Sequence, residues 1–383
     1  LSNLISYMLS YIYPLIIFIM NKSESKIYYL YIVISLVFII ATTNYLSLFD
    51  IIYVANQTDV ISYSEIAKNA PLLAKESNII IQHVAQRFLI PYIVGTIADL
   101  ININFFLVFQ LFTILFLFFY IFLINLLIRS LNLNLKISIL FFSILFLNPY
   151  IVRYHIFNPA QAHDMLFFCL GLIFSISIIN KNYFINLLTT IIAIYLRQTS
   201  IALLVGSSIF LLINKKVKLI PILFLLTLLS LFITIKIGSL ISSNAFPINL
   251  AYGIIFYDFT QFAKLLKFLL LAIMPFAPLL VILFGKINKN IEISSALILL
   301  FVCSMMIAQP ILGGPDGSVN NVGRIANLCF PILTSFCFYV WNFEKFVNKN
   351  YLFYTFISAM FLWSLHPTFS IFKSFGVFRF YNY

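Results

Sequence analysis

Long apolar runs separated by short polar connections are the main pattern along this sequence. A helix needs about 20 apolar residues to cross the hydrocarbon layer of a membrane, and many of these runs approach that length. The predicted spans are 4–20, 28–48, 103–127, 137–152, 164–180, 219–235, 267–285, 293–309, 325–342 and 351–365. The run 183–213 is too long for one crossing and is interrupted at Arg197, so we predict two short helices that meet there. The pattern predicts an all-α, polytopic transmembrane helix bundle of about 11–13 membrane helices, forming one integral membrane domain over residues 1–383.

Long polar segments alternate with these spans, and all of them fall on one side of the membrane when the spans are counted. They comprise 49–86, 153–163, 236–266, 310–324 and the tail after 366. Loops carry functional residues more often than the elements that they connect, so a site is expected on this side. We expect the first of these loops to form an outward-facing cleft.

Three stretches on that side have a local structure that the sequence indicates. Ser62-x-x-Glu65 is a capping-box pattern, which predicts that a short helix begins there. Residues 88–101 are apolar but short and contain a proline and a glycine, so we predict a helix that enters the membrane only partly. The loop 310–324 is rich in glycine, and we predict that it forms a flexible lid.

Composition supports a membrane protein. Hydrophobic residues make up 63% of the chain, charged residues make up 9%, and the mean hydropathy is +1.07. Soluble domains have about 45–50% apolar and about 25% charged residues. The net charge of +12 would suggest nucleic acid in a soluble protein. Here the basic residues flank apolar spans and orient them, so we exclude nucleic acid as a partner.

The kind of charge differs between the two sides. The short connections opposite the polar segments carry mainly lysine, which is the signal of a cytoplasmic face. Their basic residues are Lys22, Lys26, Arg129, Lys136, Lys181, Lys215, Lys216, Lys218, Lys286, Lys289, Lys345 and Lys349. Five of the six arginines and eight of the eleven acids fall on the other side. This distribution predicts a protein of the cell inner membrane whose active site faces the periplasm or the exterior.

Asp59 lies in the first polar loop, with Tyr63 one helical turn later and Glu65 close by. A carboxylate at a membrane surface, partly desolvated by lipid and apolar side chains, has a raised proton affinity that suits removal of a proton from an acceptor hydroxyl. Asp59 is therefore the candidate catalytic base, and Tyr63 and Glu65 are candidate substrate-binding residues. The alternative is that Asp59 only caps the short helix.

Two arginines are candidates for binding an anion. Arg87 precedes a short apolar stretch, where a guanidinium can fork onto the phosphate of a lipid carrier while the isoprenoid tail stays in the bilayer. The alternative is an interfacial anchor whose charge extends to water. Arg197 interrupts a hydrophobic run, and charge within membrane spans is costly and usually functional.

Other candidates are His163 and Asp164, which lie at the predicted outer mouth of a span, and Asp316 and Arg324, which belong to the glycine-rich loop. An acid at the head of a helix can bind a metal, orient a sugar hydroxyl or cap the helix. The glycine-rich loop is not a P-loop, because it lacks G-K-[ST], and the histidines show no zinc-like spacing. A divalent cation stays open as a cofactor, with no metal ligand assigned.

In their order and spacing these residues resemble the GT-C glycosyltransferases, polytopic enzymes that take a sugar from a polyprenyl-phosphate carrier, and especially the bacterial branch related to protein mannosyltransferases and aminoarabinose transferases. The family pattern combines Asp-x-x-x-Tyr-x-x-Ile-Ala, Arg-x-x-x-Pro, an Asp at the head of a later span and an Arg-[Glu/Gln]-Thr break. This sequence supplies Asp59, Tyr63, Ile66, Ala67, Arg87, Pro91, Asp164, Arg197, Gln198 and Thr199. The resemblance covers residues of about 28–215 and extends beyond them only through Arg324. Gln198 stands where an acid is common, and no Asp-x-Asp or Glu-x-Asp pair is present.

The resemblance implies that Asp59 is the general base, that outward arginines hold the carrier phosphate, and that the sugar passes with inversion at its anomeric carbon. The implied partners are a polyprenyl-phosphate-linked sugar donor, a glycan, lipid or protein acceptor, and membrane lipid. Two other functions stay open. A polysaccharide polymerase, of the O-antigen or exopolysaccharide type, would share the lipid carrier and much of the topology. A lipid-linked oligosaccharide flippase or transporter would have repeats and helices broken at the membrane midplane, whereas the break at Arg197 is predicted near the outer surface.

Overall fold

Helices make up almost all of the regular structure of the chain, which confirms the predicted helical class. The computed structural model describes residues 23–43, 58–243, 270, 273–288, 291–312 and 326–365. The α-helices are α1 Ser23–Thr42, α2 Thr58–Asn69, α3 Gln82–Ala85, α4 Leu89–Leu100, α5 Phe105–Ser130, α6 Leu135–Phe146, α7 Tyr154–Phe157, α8 Ala162–Ile179, α9 Tyr183–Ile194, α10 Ile201–Ile213, α11 Leu219–Ile241, α12 Ile293–Leu312, α13 Phe330–Val340, α14 Glu344–Val347 and α15 Asn350–Ser364. A π-helical turn covers Pro149–Arg153, and 3₁₀ segments cover Pro159–Gln161, Gln198–Ser200, Met274–Phe284 and Asn327–Cys329. The strands in this part of the chain are β1 Lys286–Ile287 and β2 Trp341–Asn342, which pair antiparallel.

Several helices have the length of membrane spans. Within the described residues, three segments are long and apolar enough to cross a membrane: Phe105–Ser130, Pro159–Ile179 and Leu219–Ile241. Leu135–Phe146 and Pro149–Phe157 together pass the same test, although they are bent by 44°. The described residues therefore hold three or four such segments, as expected of a membrane protein. Other predicted spans in this part of the chain are apolar helices of 10–17 residues.

The predicted span over 137–152 consists of two helical segments bent by 44°. Helix α6 ends at Phe146, and a new helical segment begins after Asn148, whose Oδ1 accepts a hydrogen bond from the N–H of Tyr150 at 3.0 Å. Proline has no N–H to donate, so Pro149 starts a helix instead of continuing one. The segment 153–163, predicted as a polar outer loop, is consequently folded in among the helices and is almost entirely buried.

The predicted break at Arg197 is confirmed. Helix α9 ends at Ile194, Arg197 is extended with φ −155° and ψ 140°, and α10 begins at Ile201 after a 3₁₀ turn. The short helix expected within 88–101 is also present as α4, which has 12 residues. At 1.5 Å per residue it is about 18 Å long and does not cross a bilayer.

The predicted capping box is wrong. Helix α2 begins at Thr58, so Ser62 and Glu65 lie inside the helix and not at its start. The Ser62 hydroxyl accepts a hydrogen bond from the N–H of Ile81 at 3.2 Å and donates one to the carbonyl of Ile79 at 3.3 Å. Tertiary contacts with the following loop therefore outweigh the local capping pattern.

Helix α11 shows how the bundle is adapted to lipid. Leu225 and Leu228 are exposed by 69% and 60%. Thr227, Ser230 and Thr234 lie on its buried face. Apolar side chains outside and small polar side chains inside are the arrangement that a bilayer favours, because small residues let helices approach closely.

The connections between helices gather at two opposite ends of the bundle. At one of them, which we call the lysine end, Lys181 pairs with Glu292 at 2.9 Å and Lys136 donates to the Oδ1 of Asn350 at 2.9 Å. Strands β1 and β2 join two further lysine-bearing connections to each other. The short connections that the sequence assigns to one side of the membrane thus meet at one end.

The opposite end, which we call the site end, holds Arg87, Asp164 and Arg197. Helix α8 joins the two ends: Asp164 lies in its first turn, and its C-cap residue Asn180 donates to the Ser130 hydroxyl at 3.0 Å.

Some predictions fall outside the described residues. They concern the first span, 4–20, the segment 244–266, and most of the glycine-rich loop, 313–324. Residues 310–312 of that loop continue helix α12. The flexible lid stays a prediction.

Gly95 allows helices α2 and α4 to pack closely. A Cβ added there would lie 2.0 Å from the carbonyl oxygen of Ala67, and backbone atoms cannot give way as a flexible side chain can. We expect Gly95→Ala to destabilise the protein by about 3 kcal/mol, at the upper end of the usual cost of overpacking. Thermal unfolding in detergent measures this loss. Gly171→Ala is the matched control, because its new Cβ would lie 3.4 Å from Ile332, and equal stability of the two variants would contradict the prediction.

Candidate functional site

Four segments bring candidate residues together at the site end. Helix α2 carries Tyr63, the turn between α3 and α4 carries Arg87, the first turn of α8 carries His163 and Asp164, and the break before α10 carries Arg197. Hydrogen bonds and ion pairs join these residues, although they are far apart in sequence. All five are buried. We call them the arginine cluster.

Asp164 and Arg197 form a buried ion pair with two points of contact. The Nε of Arg197 donates to one carboxylate oxygen of Asp164 and its Nη2 donates to the other. Arg197 is 3% exposed and Asp164 is fully buried. This fork geometry is the strong form of the interaction, and buried charges need such partners. The fork of Arg197 is therefore directed at Asp164, and the pair ties the helix break to α8.

Arg87 is a buried cation held by neutral partners. Its Nε and Nη2 donate to the Oε1 of Gln198 at 3.0 and 2.9 Å, and its Nη1 donates to the Tyr63 hydroxyl at 3.2 Å. In the described part of the chain no carboxylate lies within 4.0 Å of it. A guanidinium has five N–H donors, so two stay available beyond these three bonds. A charged group with available donors is suited to an anion such as a phosphate.

Asp59 acts on this cluster through its charge. Burial lowers the pKa of Arg87, and the charge of Arg197 lowers it further. Burial raises the pKa of the Tyr63 hydroxyl, against the charge of Arg87. The charge of Asp59 raises both pKa values. The half-buried Asp59 lies one helical turn before Tyr63 and shares its face of α2, so its carboxylate borders the cluster.

His163 connects Tyr63 to Asp164 through one ring nitrogen. Its Nε2 lies 3.0 Å from the Tyr63 hydroxyl and 3.1 Å from the Oδ1 of Asp164. An ionised carboxylate only accepts, so we place the proton on Nε2, which leaves Nδ1 as an acceptor. A relay of the Ser-His-Asp kind uses both ring nitrogens, so this arrangement orients Tyr63 and does not pass a proton across the ring.

Several buried polar atoms near the cluster have no hydrogen-bond partner among the described residues. They are the Nδ1 of His163, both amide atoms of Gln161, and the hydroxyls of Thr199 and Ser200. Folded proteins leave few such groups unpaired, because each one costs free energy. A ligand with several hydroxyl groups would supply partners for them.

Glu65 is not part of the cluster. It lies two positions after Tyr63, about 200° around the helix, and its Oε1 accepts a hydrogen bond from the Nδ2 of Asn69 at 3.0 Å. Asp316 and Arg324 lie outside the described residues. The convergence therefore extends to the five cluster residues and Asp59, and not to Glu65.

Gln86 and Gln198 are parts of the site that sequence reasoning missed. Gln198 was matched only to a family pattern in which an acid is common at its position, and Gln86 was given no role. The Nε2 of Gln198 donates to the Oε1 of Gln86 at 2.9 Å, which turns the amide oxygen of Gln198 toward Arg87. Two glutamines far apart in sequence give no signal of this bridge.

A second buried guanidinium lies at the site end. Arg153 is fully buried and donates to the hydroxyls of Thr42 and Thr43 at 2.9 and 3.2 Å and to that of Ser364 at 3.4 Å. These bonds tie the ends of α1 and α15 to the bend before α7. The sequence placed this arginine only on the outer side.

The described residues contain no group of three His, Cys, Asp or Glu side chains that could hold a metal ion. No protein family model, curated protein or solved structure matches this chain. The function is therefore inferred from the geometry of the site together with the resemblance in its motifs.

Proposed function

We propose that this protein is an integral membrane glycosyltransferase of the GT-C kind. It transfers a sugar from a polyprenyl-phosphate carrier to an acceptor on the outer face of the membrane. The observation that carries the proposal is Arg87, a buried cation with neutral partners and two available donors, next to the carboxylate of Asp59. A cation for the leaving phosphate and a base for the acceptor are the two groups that the reaction needs.

The reaction follows from these two groups. The acceptor hydroxyl attacks the anomeric carbon as Asp59 takes its proton. The bond between that carbon and the phosphate oxygen breaks, and the electron pair stays on the phosphate, whose growing charge Arg87 stabilises. Attack from the face opposite to the phosphate inverts the anomeric carbon. The side-chain atoms of Gln161, Thr199 and Ser200 that have no partner among the described residues are suited to bind sugar hydroxyls.

The ion pair of Asp164 with Arg197 has a different role in this proposal. Because each neutralises the other, Arg197 does not bind the phosphate directly. The pair fixes the helix break next to Gln198 and orients His163, which contacts Tyr63. It thereby positions Arg87 from two sides.

The membrane arrangement completes the proposal. About twelve crossings in the inner membrane would place the lysine end in the cytoplasm. The site end would then open to the periplasm or exterior, where the cleft of the first outer loop receives the carrier. The isoprenoid tail would stay in the bilayer beside α4, which is too short to span it.

Incubation of the purified protein with a panel of radiolabelled polyprenyl-phosphate sugars tests the function. We expect release of the free carrier phosphate from one donor, in a reaction that Arg87→Gln abolishes. Joining of lipid-linked oligosaccharides into longer chains would assign a polymerase. Movement of lipid-linked sugar across a vesicle membrane without release of carrier would assign a flippase.

A further inference from the structure

We infer that Gln198, held by Gln86, is a positioning residue that keeps the Arg87 cation available to an anionic ligand because its side chain is neutral. The inference rests on the proposed function in one respect, which is that the anion is the phosphate of a prenyl carrier. It concerns a residue that does not itself touch the reacting atoms.

The geometry of the two amides carries the inference. The Oε1 of Gln198 accepts hydrogen bonds from both the Nε and the Nη2 of Arg87. The Nε2 of Gln198 donates a hydrogen bond to the Oε1 of Gln86. The side edge of the guanidinium is thus fully engaged, and its two unused N–H bonds lie on the Nη atoms. Reversal of the Gln198 amide would turn its NH₂ group toward Arg87, so the acceptor Gln86 fixes the orientation that binds Arg87.

The neutral side chain at position 198 distinguishes this chain from the family pattern, in which an acid is common there, and it sets the state of Arg87 in this chain. A carboxylate at position 198 would form a two-point ion pair with Arg87, as Asp164 does with Arg197. Arg197 and Arg87 therefore differ in the group that binds the Nε and Nη2 of each guanidinium, which is a carboxylate for Arg197 and an amide oxygen for Arg87. The cluster thus contains one neutralised arginine that supports the fold and one that keeps its charge for a ligand.

The hydrogen bond between Gln198 and Gln86, which we call the amide bridge, lies next to helix α11. Gly238 of α11 lies so close to Gln86 that an added Cβ would be 3.0 Å from the Cγ of Gln86. This approach holds Gln86 in place against α11 while its amide reaches Gln198. The bridge is therefore fixed from both sides before any ligand binds.

Gln198→Glu tests the inference directly, with farnesyl phosphate as the probe and farnesol as the uncharged comparison. Binding to the purified protein in detergent is measured by ligand-dependent thermal stabilisation and by calorimetry. We expect the wild-type protein to bind farnesyl phosphate and not farnesol. Gln198→Glu should weaken that binding by about 10–100-fold, which is the range for a lost charge-assisted contact.

Two further variants separate charge from structure. Gln86→Glu adds the same charge, but its carboxylate contacts the Nε2 of Gln198 and not Arg87, so the loss of binding should be much smaller. Gln198→Met removes the acceptor without adding charge, and its loss should lie between those of wild type and Gln198→Glu. Equal losses in Gln198→Met and Gln198→Glu would overturn the inference, because the charge at position 198 would then make no difference to binding.

The stability of Gln198→Glu is a second readout. The new carboxylate gains an ion pair with Arg87, and Gln86 can turn its amide to donate to it, so the variant should melt at or above the wild-type temperature. A Gln198→Glu protein that does not fold, or that binds farnesyl phosphate as wild type does, would overturn the inference. If binding depends on the charge at position 198 but no donor releases its carrier, the inference about Gln198 holds and the proposed transferase function is rejected.

Discussion

Asp59→Asn is expected to lower turnover of the sugar donor by about 10²–10⁴-fold, because an amide takes no proton at neutral pH. The fold should be almost unaffected. Asp59 lies in the first turn of α2, where a carboxylate gains about 0.3–1 kcal/mol from the helix dipole, so the variant should lose no more than that. Turnover of labelled donor and thermal unfolding of the same preparation measure the two effects. Binding of the carrier should be largely kept.

Glu65→Gln is the matched control for this prediction. It makes the same chemical change in the same helix, at a carboxylate that contacts Asn69 and not the arginine cluster. We expect its turnover to stay within about threefold of wild type, since no transition-state contact is removed. Full activity in a folded Asp59→Asn protein would remove Asp59 from the mechanism and leave only a helix-stabilising role.

Asp164→Leu is expected to destabilise the protein by about 3–5 kcal/mol, because it leaves the guanidinium of Arg197 buried without its carboxylate. The loss is large since an uncompensated buried charge is costly, and the Nε2 of His163 keeps only the Tyr63 hydroxyl as a partner. Thermal or denaturant unfolding in detergent measures the effect. A stability equal to wild type would contradict the burial of this pair.

The double variant Asp164→Leu with Arg197→Met separates the pair from its surroundings. Replacing both charges with apolar side chains of similar size is often neutral or stabilising, so the double variant should recover most of the stability lost in Asp164→Leu. We expect its turnover to stay low, because His163 loses its contact with Asp164 and the helix break next to Gln198 loses its ion pair. A double variant as unstable as the single one would show that the cost lies in packing and not in the uncompensated charge.

Much of the fold follows from the sequence because membrane burial is a local property. A run of about 20 apolar residues is favourable in lipid whatever lies beside it, so the positions of α5, α8 and α11 could be predicted from hydropathy. The break at Arg197 could be predicted for the same reason, since one charge ends such a run. The residue types at Asp59, Tyr63, Arg87 and Asp164 also indicated where polar chemistry would gather.

Local patterns failed where another segment competes for the same group. Ser62 has the spacing of a capping box, but its hydroxyl is hydrogen-bonded to the backbone of Ile79 and Ile81. Asn148 and Pro149 bend a run that hydropathy treats as one span. Hydropathy averaged over a sequence window detects neither the hydrogen bonds of Ser62 nor the bend at Asn148 and Pro149.

The amino-acid sequence by itself determined that this chain forms apolar helices and which charged residues are exceptional. Only the tertiary structure decided which partner each of those charges has. Arg87 and Arg197 look alike in sequence, yet one contacts the amide of Gln198 and the other the carboxylate of Asp164. The physical reason is that hydrophobic burial adds up residue by residue along the chain, whereas the state of a buried charge depends on the few atoms around it, and these come from segments far apart in sequence.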